Sequence, residues 1–247
     1  MNNYVKLAGA AVAVLVVAFV GYQLLPGIGG PGGPSTGPTA APTASPTPAG
    51  SPPAGEIPPG TYAWSWSDGQ VTFDLPAGWT GSTEHTGIAR HADEAGEIGM
   101  GPAFPGEPTD ITGVYADACH SEVDAVEVGP SVDDLVTALD DQLSTEATIT
   151  EALTGGLIAT RIELVATPGL DRASCDMGSD GPLFIWDDPL ESSGFLLAPD
   201  YRGSVYVIDL DGERVVLVAA IHAAATPGDL AELDAIIQTM RWQSRGE

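Results

Sequence analysis

Residues 60–247 predict an α+β domain, an antiparallel sheet with two main helices packed on it, preceded by one transmembrane helix and a disordered linker. Three observations predict it. Runs of alternating or continuously apolar residues are paired across Ser-Asp-Gly, Thr-Gly-Gly and Asp-Gly, which are hairpin signals. Two segments open on a capping residue and then carry apolar side chains at helical spacing. Ahead of them, residues 7–55 contain no charge at all.

The chain opens with residues 1–25, a short stub and an apolar run, LAGAAVAVLVVAFVGYQLL, over residues 7–25. At about 1.5 Å per residue this run spans roughly 28 Å, close to the hydrocarbon thickness of a bilayer. A core helix of a soluble domain presents a polar face, and this run has none. It is longer than the apolar region of a cleavable signal, about 7–15 residues, and no A-x-A site adjoins it. The expectation is an uncleaved anchor in the lipid bilayer. Lys6 and the amino terminus mark its cytoplasmic side, because the next cation is Arg90. The globular part is therefore expected outside the cytoplasm.

Residues 26–59 hold 11 of the 21 prolines, with Gly, Ser, Thr and Ala between them. Such a segment buries little and lacks many backbone donors, so it predicts a disordered tether. At about 3.1 Å per residue it reaches roughly 105 Å when fully extended.

In the domain, Tyr62, Trp64 and Trp66 alternate, and so do Val71, Phe73 and Leu75, across the turn at Ser67-Asp68-Gly69. Residues 87–91, 97–104 and 113–117 are further strand candidates. Ser131 is the N-cap of a first helix, with Asp134 at the capping-box position. Val132, Leu135, Val136, Leu139 and Leu143 form its apolar stripe, and Asp133, Asp140 and Asp141 face outward. A second hairpin pairs residues 148–153 with 157–165 across Thr154-Gly155-Gly156. The third pairs residues 205–210 with 214–221 across Asp211-Gly212. Thr226, Pro227 and Asp229 then open a second helix, whose inner face holds Leu230, Leu233, Ile236, Ile237 and Met240.

Two stretches carry a family resemblance. Phe73-Asp-Leu75-Pro76-Ala-Gly78-Trp79 resembles the strand and Pro-x-Gly-Trp opening of PsbP-like domains. The helix over residues 230–240, running into Arg241-Trp242, is similar to their terminal helix and last strand. The resemblance covers roughly residues 60–245 and implies a PsbP-like α-β-α sandwich. It also implies an extracytoplasmic setting, since tethered proteins of high-GC bacteria carry such domains. It brings no catalytic residue across and points to an accessory or binding module.

Charge narrows the partners. The formal charge is −26, and because Lys6 is the only lysine, the chain from Glu56 onward carries 34 acids against seven arginines, a net −27. A nucleic-acid binder needs a basic footprint, so that class is excluded. The expected partners are the bilayer, through residues 7–25, and a cell-wall or envelope protein.

Cys119 and Cys175 are the only cysteines, and in an oxidising compartment the expected state is a disulfide. It would close a loop of about 57 residues, worth on the order of 4 kcal/mol in the chain-entropy model. A metal site on Cys119, His120 and Cys175 is the rival, but no zinc-type spacing supports it. Asp209-Leu-Asp211-Gly212-Glu213 superficially resembles a calcium loop, yet its flanks are strands and Asp-Gly is a favoured hairpin turn. His85, His91, His120 and His222 have no ligand spacing, and His222 ends an apolar strand. No phosphate-cradling or nucleophile-elbow motif occurs. No metal, cofactor or catalytic residue is therefore expected.

Tyr62, Trp64 and Trp66 share one face of a strand. They form either a core face under a helix or an exposed aromatic platform for a sugar or peptide ligand. The function expected is thus a membrane-tethered extracytoplasmic binding or accessory domain. The alternatives are a wall-associated hydrolase using acidic residues and a sensor subunit of an envelope signalling complex.

Overall fold

The structure is a computed structural model that describes residues 50–82, 87–91, 95–104, 110–121, 125–186 and 194–245. The anchor expected at residues 7–25, most of the tether, and His85 lie outside the described residues. Among the described residues no helix is long and apolar enough to cross a membrane.

In chain order the elements are β1 (Gly55–Ile57), β2 (Gly60–Trp66), β3 (Gly69–Leu75), β4 (Trp79–Gly81), β5 (Ile88–Arg90), β6 (Ile98–Ala103), β7 (Gly113–Val114) and β8 (Val126–Glu127). Helix α1 (Val132–Asp140) follows, then β9 (Thr145–Thr154), β10 (Leu157–Ala166), β11 (Leu183–Phe184), β12 (Leu196–Leu197), β13 (Tyr201–Leu210) and β14 (Glu213–His222). Helix α2 (Pro227–Thr239) and β15 (Arg241–Ser244) close the chain.

Eight strands build the main sheet in the order β1-β4-β5-β6-β14-β13-β10-β9, with every neighbouring pair antiparallel. Its central strands are apolar without alternation because both faces are covered. Tyr206, Ile208 and Leu210 of β13 belong to one core, and Val205 and Val207 point into another. The first core lies under α2 and a separate three-stranded sheet, β15-β3-β2. The second is closed by α1, Cys119, Cys175, β7 and the β11–β12 pair. The sheet is therefore an antiparallel layer with one helix on each face.

Both helices start where their caps place them. Ser131 Oγ accepts from the Asp134 N–H, and the Asp134 carboxylate accepts from the Ser131 N–H. Thr226 and Asp229 repeat the arrangement at α2, with Pro227 at the first turn. Leu135 and Leu139 are fully buried, but Leu143 is not part of the stripe. The helix ends at Asp140, so Leu143 leaves its periodicity and is exposed, while Gln142 turns inward and donates to the Tyr115 and Ile185 carbonyls at 2.8 Å each.

The boundary between tether and domain also moves. β1 lies inside the segment read as tether, paired with β4, and Gly50 O accepts from the Ala63 N–H at 2.9 Å. Ile57, the one large apolar side chain between residues 29 and 59, is buried and draws this stretch into the sheet. The folded part begins at least as early as Gly50, not at residue 60.

Candidate functional site

The aromatic face of β2 is not a platform. Tyr62, Trp64 and Trp66 are 5%, 3% and 3% exposed. Trp64 tilts against Phe73 at 4.3 Å between ring centroids, and Trp66 stacks on Phe104 at 4.4 Å. The Tyr62 hydroxyl donates to Pro58 O at 2.7 Å. Alternation identified the shared face correctly. It carried no information on whether another layer covers that face, and here the main sheet does.

Cys119 and Cys175 form a disulfide, with S–S 2.05 Å and Cα–Cα 4.7 Å. The Asp176 N–H donates to Cys119 O at 3.0 Å, and His120 Nδ1 lies 3.2 Å from Asp176 Oδ1. Among the described residues no group of three His, Cys, Asp or Glu is placed to hold a metal. His222 Nδ1 accepts from the Gly96 and Ala224 N–H groups at 3.2 and 3.0 Å, and so organises a turn. Asp209 accepts from the Gly212 N–H at 2.7 Å and Asp211 has a φ of 57°, which makes the Asp-rich segment a hairpin turn.

Two polar clusters have no signature in the sequence. Arg90, on β5, bridges to Glu232 and lies 3.3 Å from Asp229 on α2, while Trp79 Nε1 donates to the same Glu232 at 2.8 Å. His91 Nε2 sits 3.4 Å from Asp229. The Thr226 hydroxyl, then the Thr226 N–H, and more weakly His91 hold the Asp229 carboxyl below its usual range. On the other face, the buried Arg214 donates to Gly129 O and Ile111 O at 2.5 Å each and faces Asp110 at 3.6 Å. Each cluster ties a helix entry to the sheet, and each joins residues far apart in the chain (142 positions for Arg90 and Glu232).

The β9–β10 hairpin forms one outer edge of the main sheet. Gly155 and Gly156 take φ of 59° and 88°, the left-handed pair of a two-residue hairpin turn. Pairing runs one-for-one from Thr154↔Leu157 to Thr145↔Ala166, without a bulge. In such a hairpin the residues flanking the turn exchange both hydrogen bonds, and every second pair repeats this. The even positions of β9 are thus tied to β10, and the backbone groups of Thr145, Ala147, Ile149, Glu151 and Leu153 point away from the sheet. Among the described residues β9 is the last strand of the sheet, and no other element receives those groups.

One side of this hairpin is fixed and the other is bare. Ala152, Leu157 and Ala159 pack into the first core, Trp242 Nε1 donates to Thr154 Oγ1 at 3.0 Å, and Thr154 is buried. On the opposite side, Leu153 and its cross-strand partner Ile158 are 61% and 64% exposed, and Ile149 is 41% exposed. Long, regular, open edges invite pairing with another chain, and proteins commonly blunt them with Pro, Lys or bulges. β9 has none of these, only Glu146 and Glu151. The signal available beforehand was a strand, TEATITEALT, with no consistently apolar face.

No protein-family model matches the chain, and no curated protein does. Among solved structures it is similar to the solution structure of cyanobacterial PsbP (CyanoP) from Synechocystis sp. PCC 6803, at 10% identity over 74% of this chain and 92% of that one, with a TM-score of 0.29. The fold assignment therefore stands on the strand order, registers and two cores of this chain itself.

Proposed function

We propose that this protein is a membrane-tethered, extracytoplasmic binding module whose partner docks on the edge of β9. The observation that carries the reading is that edge: ten residues of regular strand with outward backbone groups, flanked by exposed Ile149, Leu153 and Ile158 on a hairpin held firmly from behind. Main-chain pairing supplies affinity in this mode, and alternate side chains supply specificity. The Cys119–Cys175 disulfide supports the compartment, since such bonds persist where the surroundings are oxidising. The charge-free residues 7–25 supply the anchor in this reading, and the Pro-rich stretch behind them gives the domain reach.

A photo-crosslinking residue at position 149 or 153 of the full chain tests this in intact cells, with position 56 on the opposite edge of the sheet as control. A discrete adduct is expected from positions 149 and 153 only. Protease added outside, after any outer barrier is removed, should digest the domain. Equal adducts at all three positions, or none, overturn the edge as the binding surface, and a protease-protected domain overturns the location.

A further inference from the structure

Resting on that reading of β9, we infer that its occupant is an extended peptide segment with the pattern apolar-x-basic-x-apolar, added antiparallel to the sheet. Pairing continues the rule of the sheet, in which every neighbour is antiparallel. Residues of an added antiparallel strand stand directly opposite those of β9, so the three that face Ile149, Glu151 and Leu153 lie at i, i+2 and i+4 on one side. Ile149 and Leu153 are exposed apolar side chains, and Ile158 widens the apolar surface beside Leu153. Glu151 is an exposed carboxylate between them. The outer residues of the pattern are therefore apolar and the middle one is Lys or Arg. On the other side Thr148 and Thr150 favour small or β-branched partners.

The charges of the hairpin agree. Arg161 is engaged by Glu163 at 2.5 Å and lies 5.6 Å from the centroid of the Tyr206 ring. Glu146 and Glu151 make no ion pair among the described residues, so the unengaged charges along the edge are both negative.

A second copy of this chain fits poorly. Every two-fold register centred on a residue between Thr148 and Ala152 keeps the outward groups paired. They set Glu151 against Thr145, Ala147, Ile149, a second Glu151 or Leu153, never against a cation. Two domains of −27 would also repel on approach.

The test uses the full chain in detergent micelles and a blocked, fluorescent peptide, Thr-Thr-Val-Thr-Lys-Thr-Val-Thr-Thr. Anisotropy should show saturable binding that weakens tenfold or more when the peptide lysine becomes glutamate. Glu151→Lys should reverse that preference. Methylating the alternate peptide amides that face β9 should abolish binding, and amide exchange should slow along β9. If the lysine and glutamate peptides bind equally while methylation abolishes both, strand addition survives and the partner chemistry falls. Binding that is indifferent to methylation is ion exchange and overturns strand addition itself. If neither peptide binds, the partner chemistry falls, and the crosslinks at positions 149 and 153 judge the edge separately. A dimer in sedimentation without peptide makes a second copy the occupant and overturns the inference.

Discussion

The hairpins β9–β10 and β13–β14 are built alike and placed oppositely. Each joins ten-residue strands through two residues at positive φ, Gly155-Gly156 in one and Asp211-Gly212 in the other. β13 and β14 are central and send Val205, Val207 and Val216 into one core and Ile208, Val215 and Leu217 into the other. β10 shares in both cores, but β9 is the outer strand and faces solvent along most of its length. The same local design is a buried scaffold in one place and an exposed edge in the other. A layer on each face turns the first into core. A layer on only one side of its turn end leaves the second presenting Leu153 and Ile158 from a rigid backing.

Breaking the cover over the central hairpin should have the largest effect. Replacing Cys119 and Cys175 by Ser is expected to cost about 4 kcal/mol in denaturant titrations, because the loop between them is long. Amide exchange should rise first in β7, β11 and β12, before the β9–β10 turn. Next, Leu217→Ala in the centre should lower stability by about 3 kcal/mol, whereas Leu153→Ala at the edge should change it by less than about 0.5 kcal/mol. Comparable losses from the two would mean that β9 is covered as well.

The turns offer a finer contrast. A Cβ on Gly212 meets open space, so Gly212→Ala should cost about 1 kcal/mol for its left-handed backbone alone. A Cβ on Gly155 would sit 1.6 Å from Met240 O, and Gly155→Ala is expected to cost about 2–3 kcal/mol as the turn moves off Met240, the C-cap of α2. Equal midpoints for the two variants would remove the claim that the edge hairpin is fixed from behind.

The smallest effect is acid dependence at α2, which lies over the core shared by both hairpins. The Asp229 carboxyl is held below its usual range chiefly by the Thr226 hydroxyl, and Asp134 is held down in the same way by Ser131. A folded-state value below the unfolded one, about 3.9, means that the native chain binds fewer protons in that window. The stabilisation is present above about pH 4 and is lost as pH falls through the folded value. Asp229→Asn should be less stable at neutral pH, with a flatter decline below pH 4, read from thermal midpoints across pH.

Much of the local architecture was legible. Ser131 with Asp134 and Thr226 with Asp229 announced both helices because a capping box is a contact across three residues. The Gly-Gly and Asp-Gly turns announced both long hairpins for the same reason. Leu143 was misplaced because spacing does not show where a helix stops, and Ile57 because one apolar residue among prolines gives no period. β4, β8, β11 and β12 are two or three residues long and leave no pattern to read.

The candidate site divides along the same line. The disulfide partners were identifiable because only two cysteines exist, and the negative charge of the domain is a plain sum over its residues. Composition and short-range pattern thus determined the element types, their caps, the cysteine pair and the sign of the surface, all quantities set within a few residues or summed over the chain. Only the tertiary structure decided that Trp64 and Trp66 lie inside, that Arg90 meets Glu232, and that β9 rather than β13 is the outer strand. Those outcomes depend on which layers stack and which strands become neighbours, and no local pattern in either strand encodes its neighbour.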